Sequence, residues 1–159
     1  MTINQFFESY LKKESFFVDK SVLLSSYLPD EVQFRDEQMR EAANILAPAL
    51  RMQKPSNLFI YGKTGTGKTL TVKHIVRSMG DIASKNTLGV KFVYINCKLK
   101  RVADTEYRLI AQLIKEFGDD VPATGLPTDE VYNIFYRLLD AEKRIVLLVL
   151  DEIDQLTKK

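Results

Sequence analysis

The sequence predicts an α/β domain with a mostly parallel sheet and helices on both faces. Three observations carry that prediction. Segments of strand character alternate with segments of helical apolar spacing, the pattern of parallel strands joined by crossover helices. Ile145-Val146-Leu147-Leu148-Val149-Leu150 is apolar at every position, as suits a parallel strand buried on both faces. Gly62-Lys63-Thr64-Gly65-Thr66-Gly67-Lys68-Thr69 follows an apolar run and opens a helical segment, the strand–loop–helix context of a phosphate-binding loop.

From the N-terminus, Ile3, Phe6, Phe7, Tyr10 and Leu11 fall at helical spacing. They predict a short amphipathic helix whose apolar face must pack on something. Residues 15–30, with Phe16, Phe17, Val18, Leu23, Leu24 and Tyr27, read as an extended arm ending at Pro29. Residues 36–50 read as a helix with Met39, Ala42, Ala43, Leu46, Ala49 and Leu50 on one face. Pro48 should kink or end it. The turn Lys54-Pro55-Ser56-Asn57 leads into a strand, Leu58-Phe59-Ile60-Tyr61, and then into the loop. Residues 69–79 form the first crossover helix, and residues 81–89 a polar connection. Val90 to Asn96 is rich in β-formers and makes the second strand. Residues 104–117 form a helix with Leu109, Ile110, Leu113, Ile114 and Phe117 in register and Asp104 or Thr105 as its cap. Residues 118–127 read as a loop by their Gly, Asp and Pro content. Thr128 caps a last helix, with Val131, Ile134, Phe135, Leu138 and Leu139 on one face.

Size and composition narrow the function. The 159 residues suit one ordinary domain. With 45% hydrophobic and 28% charged residues, the composition is globular. The longest apolar run, Ile145 to Leu150, is far too short to span a membrane. No basic region precedes an apolar one at the N-terminus, so no secretory signal is expected. A single cysteine, Cys97, rules out an internal disulfide and fits a reducing compartment. At the end of a predicted strand it reads as a buried structural thiol. A formal charge of +2 makes no electrostatic case for nucleic acid. The basic run Lys98, Lys100 and Arg101 reads as a solvated loop. His74, the one histidine, has no visible ligand partners and reads as a surface or packing residue.

The loop carries the chemistry. Its glycines let the backbone turn tightly and bring N–H groups to a phosphate. The helix N-terminus behind it, opening at Leu70, adds partial positive charge at the same place. Lys68 is placed to reach the outer phosphates, and the Thr69 hydroxyl to ligate Mg²⁺. The all-apolar strand delivers Asp151-Glu152 at its carboxyl end, the side on which open α/β sheets bind ligands. Asp151 would hold Mg²⁺, directly or through water, opposite Thr69. Glu152 would orient and polarise the attacking water. Asp154 is left as a surface or supporting carboxylate. A glutamate directly after the metal aspartate favours ATP hydrolysis coupled to conformational change over a small-molecule kinase or a GTPase.

Four segments together resemble a known family. They are the run Tyr27-Leu28-Pro29-Asp30-Glu31-Val32-Gln33-Phe34-Arg35-Asp36-Glu37-Gln38, the loop from Asn57 to Thr69, the strand Val93-Tyr94-Ile95-Asn96-Cys97, and Leu150-Asp151-Glu152-Ile153-Asp154. They are similar to archaeal AAA+ replication initiators of the origin-recognition-complex and cell-division-control-six type. The resemblance implies a P-loop NTPase core that binds ATP or ADP with Mg²⁺, with nucleotide binding and hydrolysis as a switch. It implies partners as well: origin DNA, a replicative helicase, and self-association through the nucleotide interface, in a cytoplasmic, nucleoid-associated setting with no membrane. In such proteins the arm before the loop packs over adenine, which makes Leu28, Pro29, Val32 and Arg35 the candidates here by position. The two helices around residues 118–127 match an extra helical element that can touch DNA in the family, although Asp119 and Asp120 do not suit a phosphate. Residues 1–26 are expected to form a helix and arm, and residues 27–159 a partial AAA+ domain.

The sensor residues, arginine finger, helical lid and winged-helix domain of the family fall outside these 159 residues. The expectation is a fragment of a longer initiator that binds DNA mainly through that further domain. In the family sheet order, the strand after Asp151 lies between the loop strand and the Asp151 strand. Unpaired backbone inside the sheet, poor stability and weak or no hydrolysis are therefore expected. The alternative is another P-loop ATPase, clamp-loader-like or signalling, acting on protein partners.

Overall fold

A computed structural model describes residues 2–13, 16–24, 27–98, 105–122 and 125–156. It divides into two units, Met1–Glu31 and Val32–Lys159. In the first unit, helix α1 spans Ile3–Leu11. A capping box starts it: the Thr2 hydroxyl accepts from the Gln5 amide and the Gln5 side chain accepts from the Thr2 amide. Its apolar residues Ile3, Phe6, Phe7, Tyr10 and Leu11 are exposed. The expected extended arm contains a 3-10 turn at Ser21–Leu23. There the Asp19 carboxylate accepts from both the hydroxyl and the amide of Ser21, at 2.7 Å each, which holds its pKa below the usual value.

In the second unit, α2 (Asp36–Leu46) begins with Asp36 and Glu37 in its first turn, where the helix dipole favours negative charge. The change forecast at Pro48 takes the form of a tightening into a 3-10 helix, Ala47–Arg51, which tolerates proline near its start. Met52, at φ 57°, ends it. Helix α3 spans Lys68–Lys85, six residues beyond the expected end. Gly80-Asp81 does not break it. A glycine inside a helix costs only about 1 kcal/mol, and Met79 and Ala83 on either side are buried. Strand β1 (Val90–Asn96) leads through residues outside those described to α4 (Glu106–Glu116). The Thr105 hydroxyl caps α4 by accepting from the Arg108 amide, while Asp104 lies outside the described residues. Helix α5 spans Thr128–Ala141. Pro127, not Thr128, occupies its cap position without a side-chain bond, because Thr128 already has helical backbone. Strand β2 is Ile145–Asp151.

The two strands pair in parallel, from Val90 with Ile145 to Asn96 with Asp151. Side chains alternate across them. Val93 and Ile95 face α4 and α5, where Leu109, Ile110, Leu113, Ile114 and Val131 are buried. Phe92, Ile145 and Leu147 face the opposite cluster of Ala42, Ala49, Ile75 and Met79 from α2, the 3-10 turn and α3. The α/β class with helices on both faces is thus borne out.

Two further expectations fail. Leu58-Phe59-Ile60-Tyr61 is not a strand: among the described residues only β1 and β2 form a sheet. A strand exists through its ladder, and here the segment has no neighbour, so Phe59 and Tyr61 stack on each other in the open. The second failure is β2, expected to be buried on both faces. It is only half-buried, with Leu148 exposed, because its ladder is made with β1 alone. No helix among the described residues is long and apolar enough to cross a membrane.

Candidate functional site

The loop from Gly62 to Thr69 holds its shape through its own bonds. Gly65 and Gly67 sit at φ 79° and 82°, backbone that strains any residue with a Cβ. Gly67 starts α3, and its carbonyl accepts from both the amide and the hydroxyl of Thr71. The Thr66 hydroxyl donates to the Lys63 carbonyl at 2.8 Å. The Lys68 ammonium donates to the carbonyls of Gly62 and Lys63 at 2.9 Å each. An ammonium carries three donors, so one remains for a ligand. The first amides of α3, at Lys68, Thr69 and Leu70, have no acceptor within the helix and face the loop end. Thr64 lies on the exposed rim.

The second half of the site comes from the sheet. The pairing of Asn96 with Asp151 puts Tyr94, Asn96 and Asp151 on the face of the sheet that α3 covers. Asp151 Oδ2 accepts from the Thr69 hydroxyl at 2.9 Å and from the Tyr94 phenol at 2.6 Å, and its Oδ1 accepts from the Glu152 amide at 3.0 Å. Residues 82 positions apart are thereby joined at the start of α3. Burial raises the Tyr94 pKa well above that of an ordinary phenol, helped by its bond to Asp151 and the charge of that carboxylate, and opposed by a bond with Asn96. The Lys73 ammonium lies 5.1 Å from the centre of the Tyr94 ring.

Of the expected site residues, Lys68, Thr69 and Asp151 come together. Glu152 follows Asp151 at φ 56° and opens a 3-10 turn, Ile153–Gln155. Asp154 is exposed and accepts from the Gln155 amide group. Of the four adenine candidates, Leu28 and Pro29 belong to the first unit and Val32 and Arg35 to the second. Val32 is buried. Arg35 donates to the Thr66 carbonyl at 2.8 Å, inside the loop itself. Tyr94, Lys73 and the Arg35 bond were missed by sequence reasoning. The one available signal was a polar-tipped aromatic on the second strand, on the face that alternation assigns to the aspartate.

A hydroxyl and a carboxylate on separate elements, 2.9 Å apart, form a hard oxygen pair, which is the donor chemistry Mg²⁺ takes. Among the described residues no three His, Cys, Asp or Glu side chains cluster as a metal site. The protein therefore offers a cation Thr69 and Asp151, leaving further positions to water and phosphate oxygens. The residues fit the ion on those terms.

Cys97 is buried, and burial first, then the Asp151 charge, pushes its thiol pKa up. This is a structural thiol. His74 packs with its Nδ1 buried and without a hydrogen-bond partner. In the basic run, Lys98 is exposed, and Lys100 and Arg101 lie outside the described residues.

Residues 51–159 match the family described as AAA domain. The chain is 44% identical over 161 aligned residues to an ORC1-type DNA replication protein of Thermococcus onnurineus, covering 99% of this chain and 38% of that relative. It spans well under half the length of the curated relatives it matches. Among solved structures, the Aeropyrum pernix ORC1 protein in complex with DNA is similar with a TM-score of 0.80 and 41% identity, over 87% of this chain and 35% of that one. The Aeropyrum pernix ORC2 protein in ADPNP–ADP complexes is similar with a TM-score of 0.68 and 25% identity, over 89% of this chain and 36% of that one.

Proposed function

The chain belongs to the AAA domain family, and from that premise we propose that it forms the nucleotide-binding part of an ORC1-type DNA replication initiator. One observation carries most weight: the Thr69 hydroxyl behind the loop meets the Asp151 carboxylate at 2.9 Å. In this reading the amides from Gly62 to Leu70, with Lys63, Thr64, Gly65, Thr66 and Gly67 forming the wall, hold the phosphates of ATP or ADP. Lys68 turns its remaining donor to an outer phosphate. Thr69 and Asp151 hold Mg²⁺, which when bound neutralises phosphate charge. Glu152 orients a water for attack on the terminal phosphate. Val32 lines the adenine side, and Arg35 borders the loop.

The replication role is supported by the relatives' description and by the ORC1 protein found in complex with DNA. Recognition of origin DNA, helicase loading and self-association through the nucleotide interface are proposed for a protein of the relatives' full length. A net charge of +2 agrees with DNA binding that rests mainly on another domain. The test is titration of fluorescent ADP into the wild-type chain and Lys68→Ala. The expected result is micromolar-range binding weakened at least tenfold by the substitution, which removes a charge-assisted bond of about 1.5–3 kcal/mol. Equal binding by both would remove the nucleotide reading.

A further inference from the structure

We infer that Tyr94 is a positioning residue for the proposed metal-binding carboxylate: its phenol fixes Asp151 so that the carboxylate faces the Thr69 hydroxyl. This rests on the nucleotide-site reading above. Tyr94 lies in mid-β1, outside both the loop and the acidic strand end. Its hydroxyl donates to Asp151 Oδ2 at 2.6 Å, the separation of a charge-assisted O–H···O⁻ bond.

The other two donors to Asp151 cannot do the same work. The Glu152 amide is the next residue in the chain and moves with Asp151. The Thr69 hydroxyl is itself a prospective ligand and must turn a lone pair to the cation. Tyr94 is the restraint that comes from another strand. Its ring is in turn held by α3, because Lys73 stands one turn beyond Thr69 on the same helix face and lies over the ring. The helix that carries the proposed metal hydroxyl therefore also grips the residue that aims the metal carboxylate. Hydrogen bonds that orient a ligating carboxylate in this way typically carry ten- to hundredfold in metal affinity or activity.

Tyr94→Phe keeps the ring, and with it the packing between β1 and α3 and the Lys73 contact. Fluorescent ADP is titrated into wild type and Tyr94→Phe, once with Mg²⁺ and once with EDTA. The Mg²⁺-dependent gain in affinity should fall about tenfold in the variant, the low end of the range for a lost orienting bond. Affinity in EDTA should not change. In an Asp151→Asn background, Tyr94→Phe should have no further effect on the Mg²⁺ gain. Three results overturn the inference alone: an unchanged Mg²⁺ gain in Tyr94→Phe, an equal loss of affinity in EDTA, or full additivity with Asp151→Asn. A wild-type chain that binds no ADP, or binds it without any Mg²⁺ effect, overturns the nucleotide-site reading and this inference with it.

Discussion

Arg35 offers a sharp test of how the loop keeps its shape. By sequence position it was an adenine candidate. Its guanidinium donates instead to the Thr66 carbonyl at 2.8 Å, between Gly65 and Gly67, both at positive φ. A hydrogen bond from a charged group contributes about 1.5–3 kcal/mol. Arg35 is partly exposed, so solvent screening reduces that to about 1 kcal/mol. If the bond holds the loop in its phosphate-binding shape, Arg35→Ala should weaken nucleotide binding about fivefold. The loss should be the same for ADP and for inorganic pyrophosphate, which has no base, measured by displacement of fluorescent ADP. Arg35→Lys should recover part of the loss, since an ammonium can reach the carbonyl without the planar fork. A urea midpoint close to wild type confirms that the fold is kept. Undiminished affinity in Arg35→Ala would refute the loop-holding role. A loss for ADP alone would return Arg35 to the base.

Other expectations test the core and the titrating groups. Ile114 is fully buried between α4 and the sheet, so Ile114→Ala should cost about 2–5 kcal/mol and Ile114→Val about 1 kcal/mol in urea unfolding. Tyr132 donates to Glu106, and that bond first, then desolvation, pushes its pKa from 10.0 to about 12. Because the folded value is the higher one, this link between α5 and α4 stabilises fully below pH 10 and is lost as pH rises towards 12. A tyrosinate absorbance titration should show two late-ionising phenols, Tyr94 and Tyr132, of which Glu106→Gln brings down only Tyr132. Cys97, buried and with its pKa raised, should resist a thiol reagent at pH 8 in the native chain and react fully in denaturant.

The sequence carried the local half of this molecule. Strand β1, helices α4 and α5 and the acidic end of β2 follow from periodicities that a few neighbouring residues define. The misplaced end of α3 has the same local origin: Gly80-Asp81 looks like a breaker, and only the packing of Met79 and Ala83 overrides it. The strand before the loop failed for a different reason. Leu58 to Tyr61 has the composition of a strand, but pairing belongs to two segments and cannot be read from one. The exposure of β2 has the same cause. In the site, the loop and Asp151 were legible because their chemistry fixes residue types at fixed spacing. Arg35 with Thr66, and Tyr94 with Asp151, are bonds across 31 and 57 positions, and no spacing rule announces them.

The pairing of Asn96 with Asp151 also governs which length changes this protein tolerates. One residue inserted within β2 would turn Asp151 to the opposite face, against Val93 and Ile95, and Thr69 would lose its partner. Two inserted residues would restore the face but carry the carboxylate about 6.6 Å past Tyr94 and Thr69. Gaps within this strand should therefore be lethal to the site at either parity. Gaps in the 118–127 connection, outside the strand ladder, should be silent there. Related chains should accordingly vary in length between α4 and α5 and hold a constant count from Ile145 to Asp151.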